Sequence, residues 1–154
     1  HLSQYKGKVT VMIFILTTCP HCQKTIGFLS KDQKEFGPRG FQVLASAIQE
    51  DAPKAVPDFV KDFKTTFPVG YNNSQQEGRA VLDFMQHPPM LIPHMPLLSF
   101  LDREGRIRAQ YEGMDPFMEE SVQEENIRKQ ILALLNEGGA AAKKAPAKKT
   151  AAKK

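Results

Sequence analysis

The only two cysteines in this 154-residue chain stand in the run FILTTCPHCQK, at Cys19 and Cys22 with Pro20 and His21 between them. Two sulfurs so spaced could form a redox pair, half of a metal site, or an inert pair in the core. An apolar run precedes them and a helical pattern follows. If the helix starts at Pro20, Cys19 is its N-cap, because proline suits the first helical position, where its missing N–H would have had no partner. The Cys19 sulfur then lies beside unpaired amide donors at the positive end of the helix, and Cys22 lies over the same turn. Such a site favours a thiolate at Cys19 and encloses Cys22, and a protonated His21 adds positive charge nearby. The implied chemistry is thiol–disulfide exchange: Cys19 forms a mixed disulfide and Cys22 resolves it. A CxxC between a buried strand and a helix is a strong sign of this chemistry.

The rival readings use the same residues. A zinc site would need two more ligands, and only His87 and His94 in the proline-rich loop could supply them, far from the tight ligand pairs typical of structural zinc. A hydrolase built on Cys19 and His94 leaves Cys22 unexplained. An inert buried pair is the plain alternative, since free cysteine often serves as a small core residue. His21 could likewise be a surface residue with no electronic effect. The reading adopted is a redox pair, with no metal and no cofactor.

The elements that must position this pair are legible in the pattern. VTVMIFIL (9–16) is a continuous apolar run, as expected of a central strand buried on both faces. A helix is predicted from Pro20 to Phe36, with Ile26, Phe28 and Leu29 inward and Gly37-Pro38 stopping it. FQVLASAI (41–48) reads as a second buried strand. Pro57 is read as opening a helix that presents Phe59, Val60 and Phe63. Ser74 with Glu77 forms a capping box before a helix with Val81, Leu82 and Met85 inward. Four prolines in QHPPMLIPHMP (86–96) forbid a helix or a central strand there. LLSFL, a DREG turn and RIRAQY read as a hairpin. A last helix, about Glu119 to Asn136, presents Ile127, Ile131, Leu134 and Leu135. The predicted order is β-α-β-α-α-β-β-α, an α/β sandwich.

Composition narrows the function classes. Hydrophobic residues at 41% and charged residues at 25% suit one globular domain, assigned to residues 1–138. The longest apolar run is too short to span a membrane. The net charge of +4 comes from the end of the chain, where GGAAAKKAPAKKTAAKK carries six lysines and no acid. Setting those six aside leaves 15 basic against 17 acidic residues, so the body is slightly acidic and not a nucleic-acid-binding domain. Residues 139–154 lack the apolar side chains to form a core and are read as a disordered tail. A weak contact of that tail with anionic membrane or nucleic acid is one expectation. The chain opens on His1 rather than Met, consistent with processing or trimming.

LSQYKGKVTVMIFILTTCPHCQK resembles the opening of TlpA/ResA-like thioredoxin-fold proteins, FVKDFKTTFPVGYN their segment before the third helix, and MPLLSFLDREGRIRAQYEG their hairpin. The resemblance covers residues 2–113. It implies a thioredoxin-like fold, a mixed central sheet with helices on both faces in three layers. It also implies that Cys19 is the nucleophile and Cys22 the resolving cysteine, with Pro96 the cis-proline facing them and Pro93 the alternative. Several positions depart from the family. Thr18 replaces the usual Trp, Ile13 stands where thioredoxin has a buried acid, and Thr25 stands where relatives often have Glu. The CPHC motif is that of the DsbA-type oxidases. The loop 86–95 is longer and more apolar than in relatives, and the family's N-terminal hairpin is missing before Leu2.

The expectation is therefore a thiol–disulfide oxidoreductase acting on protein cysteines in an extracytoplasmic bacterial compartment such as the periplasm, membrane-anchored or free and monomeric. By resemblance, its partners include proteins of cytochrome c maturation or a membrane electron donor. A cis Met95–Pro96 bond would set an extended edge beside Cys19, with Met90, Leu91, Ile92 and Met95 as an apolar surface for protein substrates. The direction of electron flow stays open. A binding module without redox turnover and a peroxiredoxin-like peroxidase are the alternatives, although neither cysteine follows the peroxidatic P-x-x-x-[TS]-x-x-C pattern.

Overall fold

Val9–Ile15, the apolar run before the cysteines, forms β1, the middle strand of a five-stranded sheet. The computed structural model describes residues 1–143. Along the chain β1 is followed by α1 (Pro20–Phe36), β2 (Phe41–Ala47), α2 (Ala52–Phe63), β3 (Val69–Tyr71), α3 (Gln75–Phe84), β4 (Leu97–Leu101), β5 (Ile107–Glu112) and α4 (Gln123–Lys143). Short 3-10 turns occupy Leu2–Tyr5, Gly37–Arg39 and Pro116–Met118. The strand order is β3-β2-β1-β4-β5, with β1, β2 and β3 parallel and β4 and β5 antiparallel to their neighbours.

Alternation along β1 divides the core. Val9, Val11, Ile13 and Ile15 face the larger cluster, joined by Ile26 and Leu29 of α1, Val56 and Phe59 of α2, and Ile127, Ile131, Leu134 and Leu135 of α4. Phe14 points the other way and meets Leu97 of β4 with Val81 of α3 and Met85 just past its end. Helices thus cover both faces of a mixed sheet, the three-layer α/β/α arrangement of the thioredoxin-like fold. No helix among the described residues is long and apolar enough to cross a membrane.

Three elements differ from the sequence reading. Pro57 does not open α2. The helix starts at Ala52, with Pro53 in its first turn, and Pro57 lies inside it. The proline deletes one backbone bond, and burial of Ala52, Val56 and Phe59 along the same stripe outweighs that loss. Val69–Tyr71 is an unanticipated edge strand, too short and too glycine-broken to show a period of two. The last helix is preceded by the Pro116–Met118 turn and begins at Gln123 rather than Glu119.

That helix also runs past Asn136 to Lys143, so residues 139–143 are helical rather than part of a disordered tail. Ala140–Ala142 are the best helix formers, and extending an existing helix needs no new nucleus, which offsets the cost of Gly138 and Gly139. Residues 144–154 lie outside the described residues, and with them the membrane or nucleic-acid contact expected of the tail.

Candidate active site

Both sulfurs sit where β1 hands the chain to α1. Cys19 has extended backbone angles (φ −79°, ψ 117°) and is the N-cap, with Pro20 at the first helical position. Its Sγ accepts the Cys22 N–H at 3.3 Å, one of the amide donors that a helix start leaves unpaired. Cys19 is partly exposed, Cys22 is fully buried, and both are free thiols. Burial pushes the Cys22 thiol up, and the hydrogen bond with Cys19 pushes the same way. The backbone amide of Leu16 opposes both.

His21 turns toward the far end of the chain, with its Nε2 3.2 Å from the Met118 carbonyl oxygen. A carbonyl can only accept, so this ring nitrogen carries the hydrogen. Lys24, one turn on, pairs with Glu120, tying the start of α1 to the segment before α4. Thr25, where relatives often carry Glu, is fully buried, and its hydroxyl lies 2.9 Å from both the His21 carbonyl and Gln123 Oε1. Ile13, in the place of thioredoxin's buried acid, is an ordinary core residue flanked in register by Ala45 and Leu98. Thr18 is exposed.

The Met95–Pro96 peptide bond is cis, and it is the only cis bond among the described residues, so Pro93 is trans. Register brings this segment to the site: Leu97 pairs with Phe14 near the end of β1, and Met95 and Cys19 pack on the same buried cluster. Gly113, just after β5, donates its N–H to the His94 carbonyl at 2.7 Å, and a Cβ there would collide with the Met95 carbonyl. Glycine is therefore what lets the two backbones pass so closely.

The loop ahead of Pro96 exposes Met90 (91%), Leu91 (62%) and Ile92 (83%), far more than single surface apolars need. The loop is anchored at its ends. His87 Nε2 lies 3.2 Å from the Leu91 carbonyl, and its Nδ1 sits 2.7 Å from Glu112 Oε1, out of line for a directed hydrogen bond and so an ionic contact when the ring is protonated. His94 flanks the same carboxylate at 3.8 Å. The two histidines of the zinc reading thus gather at Glu112, and among the described residues no group of three or more His, Cys, Asp or Glu side chains could hold a metal ion.

Sequence reasoning missed Thr17, Gln23, Gln49 and Gln123. They make buried polar contacts around the cysteine pair, and glutamine and threonine at irregular spacing carry no periodic signal.

Solved structures share this architecture. A protein assigned as the thiol:disulfide interchange protein DsbE of Chlorobium tepidum is 25% identical, covers 87% of this chain and 84% of its own, and superposes with a TM-score of 0.70. A second thiol:disulfide interchange protein of the thioredoxin family from Chlorobium tepidum TLS is 22% identical, with 86% and 83% of the two chains covered and a TM-score of 0.68. A secreted disulfide oxidoreductase of Mycobacterium tuberculosis, homologous to E. coli DsbE, is 17% identical over 86% of each chain with a TM-score of 0.65. At such identities the last two speak for the fold alone.

Among curated proteins, one assigned as glutathione peroxidase 8-B of Xenopus laevis is 33% identical over 75 residues, which is 44% of this chain and 36% of that relative. The chain therefore spans about a third of that relative's length. The pattern of the Redoxin family matches residues 1–131, which hold the whole site, and the protein belongs to this family of thioredoxin-fold thiol oxidoreductases.

Proposed function

We propose that the protein exchanges disulfides with protein cysteines through Cys19 and Cys22. The observation that carries this reading is the Cys22 N–H donated to Cys19 Sγ at a helix N-cap, with Cys19 accessible and Cys22 enclosed. In the reducing direction the Cys19 thiolate attacks one sulfur of a substrate disulfide. A new S–S bond forms, and the second substrate sulfur leaves as thiolate. Cys22, losing its proton, then attacks Cys19 Sγ, and the first substrate sulfur leaves as thiolate. Two electrons have passed to the substrate, and the pair holds the disulfide. The oxidising direction is the same sequence reversed, and the reduction potential of the pair selects between them.

Pro96 and the exposed Met90, Leu91 and Ile92 with Met95 serve in this reading as the surface for an extended substrate segment, methionine adapting to varied side chains. An oxidising, extracytoplasmic bacterial setting is part of the proposal. It is supported by where disulfide chemistry persists. Turnover of a disulfide-bonded protein such as insulin in glutathione buffer is the test. The wild-type chain should turn it over, and Cys19→Ser and Cys22→Ser should each abolish turnover. Wild-type activity no greater than that of Cys19→Ser would leave a binding module instead.

A second reading, peroxide reduction, is favoured by the likeness to glutathione peroxidase 8-B. The Cys19 thiolate would take one peroxide oxygen as sulfenic acid, releasing water or alcohol, and Cys22 would close the disulfide with loss of water. Adding hydrogen peroxide to the same assay decides: consumption faster than disulfide exchange would favour the peroxidase.

A further inference from the structure

Thr17, two residues before the nucleophile, is only 7% exposed, and its three polar groups are all engaged by glutamine side chains. Its backbone N–H donates to Gln49 Oε1 at 2.7 Å, and its hydroxyl accepts from Gln49 Nε2 at 2.6 Å. Its carbonyl accepts from Gln23 Nε2 at 2.8 Å. Gln49 comes from the segment between β2 and α2, and Gln23 from the first turn of α1. One residue is thus held from two elements by a bidentate amide and a single amide. Exposed turns do not need such an arrangement, because water would satisfy the same groups.

The turn it fixes leads directly into the cysteine pair. The carbonyl of Leu16, the residue before Thr17, accepts the Cys19 N–H at 3.1 Å and so sets the N-cap. The Leu16 amide favours the thiolate of Cys22 against the burial that opposes it. Neither Ile13 nor Thr25 offers a carboxylate for that task. The turn therefore fixes the N-cap residue whose sulfur takes the Cys22 N–H at 3.3 Å.

We propose that Gln49, with Gln23, is a positioning residue for the resolving step: by clasping Thr17 it holds the Leu16–Thr17 turn, and through the Leu16 carbonyl the Cys19 N-cap, in the place where Cys22 can close onto Cys19. This rests on the Cys19–Cys22 pair being the exchange site. It predicts that losing the clasp slows disulfide closure and leaves the first attack by Cys19 nearly unchanged.

An aromatic disulfide, 5,5′-dithiobis(2-nitrobenzoate), separates the two steps. The first thionitrobenzoate released reports attack by Cys19, and the second reports closure by Cys22. Gln49→Leu should keep the first phase within about two-fold and slow the second about ten-fold, with its pH profile moved to higher pH, as expected when buried groups lose their partners. Gln49→Glu should recover most of the rate, because its carboxylate still accepts from the Thr17 N–H and the Thr17 hydroxyl can rotate to donate to the second oxygen. If Gln49→Leu does not fold, Thr17→Val deletes only the hydroxyl contact and should slow closure about three-fold. Closure at the wild-type rate with an unmoved pH profile, in whichever of the two variants folds, overturns the clasp. A wild-type chain that releases no second thionitrobenzoate overturns the exchange reading itself.

Discussion

At the residue scale the function depends on how four side chains share one helix start. His21 sits at the second helical position, and its Nε2–H is committed to the Met118 carbonyl. A positive charge on this ring, added to the helix N-terminus, would favour the dithiol form of the pair. Replacing His21 by Gly or Pro should move the pair toward more reducing potentials by roughly 20–60 mV, the electrostatic gain of a partly solvated charge pair spread over two electrons. Equilibration of each variant against glutathione reads this directly, and an unmoved potential would reduce His21 to a surface residue. The cysteines and their N-cap geometry were legible because CxxC, Pro20 and the apolar run before them are local signals. The Thr17 clasp was not legible, because Gln49 lies 32 residues away and only the folded sheet brings it to the turn.

At the element scale, the β1–α1 corner and the segment entering β4 define the site, and the loop 86–95 sets what can reach it. Both histidines of that loop lean on Glu112, and Gly113 lets the His94–Met95 backbone pass over the end of β5. The loop is therefore pinned at both ends while Met90, Leu91 and Ile92 project between them, around a cleft of about 390 Å³. Changing Met90 and Leu91 to Ser should weaken turnover of a protein disulfide several-fold and spare a small one, since only an extended chain needs that surface. An equal loss with both substrates would make the loop structural. Elements with long periodic patterns, α1, α3 and α4 among them, could be read from the sequence. The Ser74–Glu77 box stands as expected, with the Glu77 N–H on Ser74 Oγ at 3.1 Å and the Ser74 N–H on Glu77 Oε2 at 3.0 Å. β3 and the start of α2 could not be read. Three residues cannot show a period, and Pro57 mimics a helix start while lying inside a helix held by packing.

At the scale of the whole molecule, α1 and α4 are joined by charge as well as by apolar contact. Arg128 of α4 reaches Asp32 of α1 at 3.3 Å and pairs with Glu35 one turn further on. Asp32 is 4% exposed, and burial raises its pKa to about 6 against the pull of Arg128. The folded state therefore takes up this proton before the unfolded state, whose Asp titrates near 3.8. The resulting contribution to stability is complete below that value and is lost as pH rises through 6. At pH 7.5 Asp32 is a buried charge that costs stability. Asp32→Asn, which leaves Arg128 its Glu35 partner, should stabilise the protein by about 1–3 kcal/mol there, and the gain should vanish below pH 4. Denaturant melts at the two pH values check this, and a loss of stability at pH 7.5 would show that the Asp32–Arg128 pair is net favourable. None of this network was visible in the sequence, because residues about 96 apart meet only once both helices cover the same face.

The central claim is the division of labour between the sulfurs, and trapping tests it most directly. Each single variant is mixed with a disulfide-bonded protein, quenched with acid, and the covalent complexes are counted by mass. Cys22→Ser should accumulate a mixed disulfide through Cys19, because the enclosed sulfur that would release it is gone, and Cys19→Ser should trap almost nothing. Equal trapping by the two variants, or trapping by Cys19→Ser alone, would contradict the account.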